Sequence, residues 1–278
     1  MSAVRVPVSV MVFTLNEEMN LPACLESLGW SDDVIVIDSG STDATQKVAR
    51  KFGARIFRHD FTGFGDQRNW ALKNTGPKHE WILLLDADER VPADLADEMR
   101  SAVSSAAPAV AAFRLKRRLF MWGKWLKHSS LYPTWVVRLV RAEKVRFVNR
   151  GHAETQEVSG EVSELRSDLI DENLKGVADW WARQTRYSVK EAEFELKDET
   201  AFRWAELLSG DPLVRRTALK QAARRLPARA AGYFVYSYFV RGGFLDGFAG
   251  LRFCLMKAKY YGMIVSKKNE LSREAEHR

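Results

Sequence analysis

The amino-acid sequence predicts an α/β fold in which a mostly parallel sheet is flanked by helices and followed by a C-terminal helical extension. In the first half, short apolar runs alternate with helical segments of about ten residues. Strands separated by helices of that length form βαβ units, whose strands run parallel in one sheet. The runs show little alternation of apolar and polar residues, which is typical of strands covered on both faces. From about Lys175 the pattern is helical to the end.

Four apolar runs are predicted as the strands of the parallel sheet: VSVMVFTL (8–15), DVIVIDSG (33–40), ARIFRHD (54–60) and EWILLLDADE (80–89). The predicted helices lie between and after them, at 20–30, 41–53, 65–75 and 92–105. After Pro108 the composition changes, and the segments 135–148 and 157–165 are predicted as short, antiparallel strands. We therefore expect one domain over 1–174, with a change of character at 107/108, and a helical region over 175–278.

The bulk properties limit the class of protein. The net charge of +7 and the isoelectric point near 9.4 indicate an anionic partner, which could be a nucleic acid, a phosphorylated substrate or an anionic membrane surface. Cys24 and Cys254 lie far apart and form no disulfide framework, which favours a reducing compartment. The N-terminal sequence lacks the profile of a signal peptide, and no stretch approaches the ~20 apolar residues of a spanning helix.

Acidic side chains follow the apolar strands. In WILLLDADER, Asp86 and Asp88 come directly after a buried run. Ligands of open parallel sheets bind at the carboxyl ends of the strands, where two such carboxylates could share a divalent cation or divide between a cation and a ribose hydroxyl. A polar loop before a helix beginning near Pro92 is the structural alternative. Three neighbouring strand ends bring similar polar residues to this edge: Thr14, Asn16, Glu17, Asp38, Asp86 and Asp88.

Three stretches carry a resemblance to a known family. VSVMVFTLNEEMNLPACLESL, DVIVIDSGSTDAT and WILLLDADE resemble the signature stretches of family 2 glycosyltransferases with the GT-A fold, a Rossmann-like, mostly parallel sheet. The resemblance covers roughly residues 6–105. GFGDQRNWAL, YPTWVVRLVR, NRGHAE and GGFLDGFAGLRF resemble, less specifically, the bacterial enzymes of lipopolysaccharide-core synthesis.

The resemblance implies a role for each residue at the strand ends. Thr14, Asn16 and Glu17 would line the nucleoside, Asp38 would contact the base, and Arg68 would reach the nucleotide. Asp86 and Asp88 resemble the two acids of the DXD motif, which binds the sugar or ribose and a Mn²⁺ or Mg²⁺ ion. Residues 1–107 would then form the nucleotide-sugar half and 108–174 the acceptor half of the catalytic domain.

The catalytic base should come from beyond the DXD motif, where acceptors bind. We favour Glu154, with His152 as a rival base or an additional metal ligand. Asp171 and Glu172 lie further along the chain. The Glu-Asp or His-Glu pair common in the family is interrupted here by Ala153, so the base assignment stays open.

Two later segments are basic and aromatic. Residues 113–128 combine six cations with Phe120, Trp122 and Trp125, which would suit a phosphorylated sugar acceptor or stacked nucleic-acid bases; we favour the acceptor. Arg216, Lys220 and Arg224 form one helical stripe before the aromatic-rich run from Tyr233 to Phe253. That combination favours binding to an anionic membrane surface, and packing or an oligomer interface is the alternative.

The resemblance implies a metal-dependent, inverting hexosyltransferase. It would move a sugar from a nucleotide-diphosphate sugar, most simply a UDP-sugar, to a hydroxyl of a glycan or glycolipid in cell-envelope or lipopolysaccharide synthesis. We expect a cytoplasmic protein, peripheral on the inner membrane face, with no nucleic-acid partner and a homo-oligomer as one option. The alternative is a non-catalytic membrane- or nucleic-acid-binding protein on a GT-A scaffold. A nucleotidyltransferase is disfavoured because TLNEEMN stands where a glycine-rich loop would be needed.

Overall fold

The computed structural model describes residues 5–150, 153–197, 204–208, 218, 221–222, 224 and 228–276. The chain forms two compact units. The α/β unit comprises Met1–Lys127 and Tyr132–Gly176, and the helical unit comprises His128–Leu131 and Val177–Arg278.

The first half of the α/β unit confirms the four predicted parallel strands. They are β1 (Val8–Thr14), β2 (Val34–Asp38), β3 (Arg55–Arg58) and β4 (Trp81–Asp86). The helices between them are α1 (Leu21–Glu26), α2 (Thr45–Lys51) and α3 (Phe64–Asn74). Every residue of β1 is buried, because apolar layers cover both faces of the sheet. This explains why the apolar runs show so little polar alternation.

The second half extends the same sheet. It contains β5 (Glu89–Arg90), α4 (Ala93–Ser105), β6 (Val110–Met121), β7 (Lys124–Trp125), β8 (Thr134–Arg141), β9 (Val145–Arg150), β10 (Ala153–Val158) and β11 (Glu161–Glu172). The strand order is β3-β2-β1-β4-β8-β6-β11-β5, with β7 paired to β6, while β9 and β10 form a separate antiparallel hairpin. The predicted segment 135–148 holds the antiparallel strands β8 and β9, as expected. The segment 157–165 enters β11, which has 12 residues and runs parallel to β6.

The sheet order positions the ligand edge. β1 lies between β2, which follows it, and β4, so the chain reverses its direction of winding between β1 and β4. Such a reversal leaves a crevice at the carboxyl ends of the two strands. Phe13 of β1 lies opposite Asp86 of β4 in the register, so the acid predicted from the sequence lies at this crevice.

The helical unit confirms a helical C-terminal region. Its main helices are α5 (Gly176–Lys197), α6 (Arg229–Val235) and α7 (Gly247–Glu276). One π-helical turn (Tyr236–Val240) and one 3₁₀ turn (Gly243–Asp246) make a corner between α6 and α7. A Cβ on Gly250 would lie 2.2 Å from the carbonyl oxygen of Gly243, so the corner requires glycine for this close approach. In the part of the chain that the structure describes, no helix is both long and apolar enough to cross a membrane.

Candidate functional site

The loops that follow β1 and β2 are joined by hydrogen bonds around Asp38. This side chain is fully buried. Its two oxygens accept hydrogen bonds from Thr14 Oγ1, Ser41 Oγ, the backbone N–H groups of Gly40 and Ser41, and Gln46 Nε2. Burial alone would raise the pKa of Asp38, but the bonds from Ser41, Gln46 and Thr14 outweigh it and hold the pKa below its ordinary value. Asp38 therefore organises this edge, and its direct contact with a base stays a prediction.

Asn16 and Glu17 extend this joint between the two loops. Asn16 adopts a left-handed backbone conformation (φ 55°), and its side-chain oxygen accepts a 2.8 Å bond from the N–H of Thr42. Glu17 donates its backbone N–H to Thr45 Oγ1, while its carboxylate binds Lys175 Nζ at 2.6 Å. Thr14 is almost fully buried. The structure thus brings Thr14, Asn16, Glu17 and Asp38 to one edge.

Two arginines hold Asp86 at the end of β4. Arg68 Nη2 lies 2.9 Å from Oδ1, and Arg138 Nη2 lies 2.6 Å from Oδ2. Burial acts to raise the pKa of Asp86, but the charges of Arg138 and Arg68 prevail and hold it well below its usual range. Arg138 also binds the fully buried Glu89 at 2.6 Å. Asp86 is therefore a fixed anion with both oxygens already engaged.

Arg68 links Asp86 to Glu154. Arg68 Nε lies 2.9 Å from Glu154 Oε1, and the Arg68 side chain is only 4% exposed. The β9–β10 hairpin reaches α3 because Asn69 exchanges two hydrogen bonds with the backbone of Phe147. Arg68 thereby connects Glu154 to Asp86, and the roles of both carboxylates stay predictions.

Asp171 joins the same group of charges from the end of β11. It lies opposite Glu89 in the register, and Arg117 Nε is 3.3 Å from its carboxylate. Burial raises the pKa of Asp171 to about 7, against the effect of Arg117 and with the help of the negative charges of Asp88 and Glu89. A carboxyl group in this range can accept a proton near neutral pH. Asp171 is therefore a second candidate base.

The segment Asn173–Lys175 orients Asp88. Asn173 Nδ2 donates a 2.9 Å bond to Asp88 Oδ2, and Asn173 Oδ1 accepts the N–H of Lys175. The N–H of Leu174 bonds Asn20 Oδ1 at 2.7 Å. Three loops, after β1, β4 and β11, are thus tied together by one three-residue segment.

The charge of this edge suits a divalent cation. Five carboxyl groups and three guanidinium groups are connected there: Asp86, Asp88, Glu89, Glu154, Asp171, Arg68, Arg117 and Arg138. Within the described residues, no three His, Cys, Asp or Glu side chains are arranged to hold a metal by themselves. A hard cation bound through one carboxylate and the phosphates of a ligand fits this donor set. Asp88 is better suited than Asp86, whose oxygens face the two arginines.

Sequence reasoning missed several residues of this site. Arg138 lies in the apolar run TWVVRLVR, where a lone buried arginine is a signal that could have been weighed. Asn173 and Lys175 gave no signal, because they come more than eighty residues after Asp88. His152, the rival base, lies outside the described residues. The catalytic and ligand-binding roles of all these residues stay predictions.

A GT-A sheet with an acidic strand end at its reversal point is typical of glycosyltransferases that use nucleotide sugars. The sequence model described as "Glycosyl transferase family 2" matches residues 9–165, so the chain belongs to that family.

Two curated relatives extend along nearly the whole chain. The "Lipopolysaccharide core biosynthesis glycosyltransferase LpsC" of Rhizobium meliloti is 23% identical over 281 residues, covering 95% of this chain and 92% of the relative. An uncharacterized glycosyltransferase of Rickettsia typhi is 25% identical over 269 residues, covering 95% and 87%. Among solved structures, a mannosyltransferase of Pyrobaculum calidifontis, in complex with GDP-Man and Mn²⁺, has a TM-score of 0.51 at 19% identity and covers 95% of this chain and 87% of its own. That likeness supports the fold.

Proposed function

We propose that this glycosyltransferase moves a sugar, with inversion, from a nucleotide-diphosphate sugar to a hydroxyl group of a cell-envelope glycan or glycolipid. The observation that carries the proposal is the connected edge in which Asp86, Arg68 and Glu154 form one chain of ion pairs. Asp88 lies beside this chain and is oriented by Asn173. The edge therefore combines groups for the donor with carboxylates that could serve the acceptor.

The residues divide the proposed reaction between them. The acceptor oxygen forms a bond to the anomeric carbon while the bond from that carbon to the diphosphate breaks on the opposite face. Glu154 or Asp171 takes the proton of the attacking hydroxyl. Asp86 is held by Arg68 and Arg138 in a fixed position from which it can bind a donor hydroxyl. A bound Mn²⁺ or Mg²⁺ would offset the charge of the leaving diphosphate.

Donor hydrolysis is the direct test. UDP- and GDP-sugars would be incubated with the purified chain, with and without Mn²⁺, and release of the free nucleoside diphosphate would be measured. We expect metal-dependent release from one of these donors. A chain that binds no nucleotide sugar and releases no diphosphate would instead support the non-catalytic alternative.

Asp38→Asn is expected to weaken UDP binding by about tenfold or more, even without a sugar attached. Asparagine cannot accept all the bonds that Asp38 receives, and bonds to a charged group are the stronger kind. The loop from Gly40 to Gln46 would lose its anchor. Calorimetry with UDP measures the effect, and the exposed Asp60→Asn serves as the control. An unchanged UDP affinity in folded Asp38→Asn would remove Asp38 from the nucleotide site.

Asn173→Ala is expected to weaken Mn²⁺ binding about tenfold in the presence of UDP. Asn173 donates a hydrogen bond to Asp88 Oδ2. Removing a residue that orients a metal-binding carboxylate in this way typically lowers metal affinity on this scale. Mn²⁺ affinity would be read by electron paramagnetic resonance. The neighbouring Leu174→Ala keeps its backbone bond to Asn20 and is the control. Equal Mn²⁺ affinities in both variants would contradict an orienting role for Asn173.

The acceptor class rests on a different observation. The Rhizobium meliloti relative, which matches 95% of this chain, is named as a glycosyltransferase of lipopolysaccharide core biosynthesis. We therefore place the acceptor among envelope glycans and glycolipids, which brings the protein to a membrane surface.

The corner between α6 and α7 is the part of the helical unit best suited to contact such a surface. Its exposed large apolar side chains are Tyr236, Phe239, Val240, Phe244, Leu245 and Phe248. Large exposed apolar side chains gathered in one short segment are typical of an interaction surface. The exposed cations Arg241 and Arg252 lie in the same part of the sequence, which complements an anionic membrane.

One cation of the predicted stripe is paired within the helical unit. Arg216 and Lys220 of the predicted stripe lie outside the described residues. Arg224 pairs with Glu191 and with the buried Glu195. Arg224 therefore serves the packing of the helical unit, and the corner is the better place to test membrane binding.

Replacing Phe239, Leu245 and Phe248 by serine is expected to release the protein from anionic lipid vesicles. The reason is the loss of apolar area that would enter the lipid interface. Vesicle co-sedimentation measures the effect, with Leu196→Ser, at another exposed apolar position, as the control. If the triple variant binds vesicles like the wild type, the corner is not the membrane contact. A dimer that the same variant dissociates would identify the corner as a subunit interface.

A further inference from the structure

Three cations of β6 lie on one face of the sheet together with two tryptophans. Arg114 Cζ is 5.1 Å and Lys116 Nζ 5.9 Å from the ring centroid of Trp135. Arg118 Cζ is 5.0 Å from the centroid of Trp125, which Lys127 Nζ approaches to 5.5 Å. We call this group of four cations and two indole rings the basic face. The next cation of the strand, Arg117, points the other way, toward Glu89 and Asp171.

A buried carboxylate fixes the centre of the basic face. Asp168 of β11 lies opposite Lys116 in the register, and its side chain is 5% exposed. It accepts bonds from Arg118 Nε at 2.6 Å and from the Tyr132 hydroxyl at 3.1 Å, and Lys116 Nζ lies 3.3 Å away. Burial acts to lower the pKa of Lys116, but its bond to Asp168 prevails and raises the pKa above its ordinary value. The cations are therefore charged and held in place before any ligand binds.

The basic face retains an excess of positive charge. Three of its four cations pair with two carboxylates: Lys116 and Arg118 with Asp168, and Arg114 with the exposed Glu164. Trp135 remains 37% exposed among these cations. An indole ring can exclude water from the apolar C–H face of a sugar, while ammonium and guanidinium groups bind phosphate and carboxylate. Both kinds of group are present within one small area.

The sheet order places the basic face on strands next to the donor edge, our name for the charged residues around Asp86 and Asp88 at the carboxyl end of β4. β4, β8, β6 and β11 are consecutive neighbours. β8 carries both Trp135 and Arg138, and Arg138 binds Asp86 at 2.6 Å. β11 carries Asp168 on the basic face and the candidate base Asp171 on the opposite face, near its carboxyl end. The basic face and Asp171 therefore share strands but lie on opposite faces of them, so a sugar chain seated on the basic face would reach the reacting groups around the carboxyl ends of these strands.

We propose that the basic face is an acceptor subsite for an anionic sugar, one that carries a phosphate or a carboxylate group. This inference rests on the proposed function and specifies its substrate class. The anionic substituent pairs with the cations, and the ring of the same or the next sugar packs against Trp135. The sugar is then transferred to a hydroxyl group at a neighbouring position of the acceptor. The anionic substituent thereby selects and orients the acceptor.

Binding of simple probes to the whole chain tests the inference. Glucose 6-phosphate, glucuronate and glucose would be titrated while the indole N–H signals of Trp125 and Trp135 are followed by NMR, after assignment with Trp125→Phe and Trp135→Phe. We expect the two signals to shift with glucose 6-phosphate or with glucuronate, and not with glucose at the same concentration. The anionic probe that shifts them identifies the substituent as phosphate or carboxylate.

A matched pair of variants separates a site from general attraction. Arg114→Gln with Lys127→Gln removes two cations of the basic face without touching Asp168, and should weaken probe binding about tenfold or more. Arg166→Gln with Lys144→Gln removes two exposed cations elsewhere in the α/β unit and should leave binding unchanged. Equal losses in both variants, or no indole shift with either anion, would overturn the proposal. So would tighter binding of an RNA oligonucleotide at the same indole signals.

The donor assay distinguishes this inference from the proposed function. Hydrolysis of a nucleotide sugar by the wild-type chain requires only the donor edge. If hydrolysis occurs and the probes do not bind, the acceptor inference fails alone. If the probes bind as expected and no donor is bound or hydrolysed, the proposed function fails while the anion site stands.

Discussion

Replacing Asp88 by asparagine is expected to lower donor turnover by about 10²-fold or more. This scale corresponds to losing one fixed group that stabilises the developing charge of the transition state. Asp88 is expected to act through the cation that it holds, because its position beside Asn173 leaves it better suited than Asp86 to bind a metal. The variant should therefore lose Mn²⁺ affinity together with turnover.

The measurement has two parts. Release of the nucleoside diphosphate gives turnover, and electron paramagnetic resonance gives Mn²⁺ binding. Asp94→Asn changes an exposed acid in the first turn of α4 and should alter neither quantity. A folded Asp88→Asn protein with near wild-type turnover would exclude Asp88 as the metal ligand.

Replacing the catalytic base should abolish most transfer while donor binding persists. We expect Glu154→Gln to lower transfer by about 10²-fold or more with UDP and Mn²⁺ affinities nearly unchanged, because a base acts on the acceptor proton alone. Transfer of a radiolabelled sugar to membrane glycolipid measures the effect. Glu157→Gln lies on the same strand, is exposed and provides the control.

Asp171→Asn decides between the two candidate bases. If Asp171 is the base, this variant shows the large loss and Glu154→Gln stays nearly normal. The wild-type rate should then rise with pH through about 7, since the carboxylate form increases above its pKa. A metal at Asp88 would move that rise to lower pH, because it offsets the negative charge that helps to raise the pKa of Asp171.

The sequence was sufficient for the parts of the site that depend on local pattern. The apolar runs predicted β1 to β4, and the carboxyl ends of parallel strands meet at one edge whatever the loops between them do. Thr14, Asp38 and Asp86 could therefore be placed together from periodicity alone. The resemblance to family 2 glycosyltransferases added an expected role for each of these residues, which periodicity cannot predict.

The rest depended on contacts between distant segments. Arg138 completes the binding of Asp86 because β8 pairs with β4, and nothing in a single strand predicts its neighbour. Asn173 reaches Asp88 because β11 pairs with β5. The raised pKa of Asp171 depends on burial, which becomes visible only when the sheet is assembled. The hydrogen bonds that Asp38 accepts from Ser41 and Gln46 likewise depend on the folded loop, and its contact with the base stays a prediction.

The alternation of side chains along β6 and β11 has a consequence for how this enzyme can diverge. Arg117 and Asp171 point toward the donor edge, whereas Arg118 and Asp168 point to the opposite side of the same strands. Neighbouring residues of these strands thus have side chains on different faces of the sheet. A side-chain substitution on one face leaves the pairing register of the strands unchanged. If the basic face binds the acceptor as we propose, glycan preference can change by point mutation on that face while the residues of the donor edge stay the same. Positions 114, 116 and 118 are then the ones to change when such an enzyme is retargeted by design.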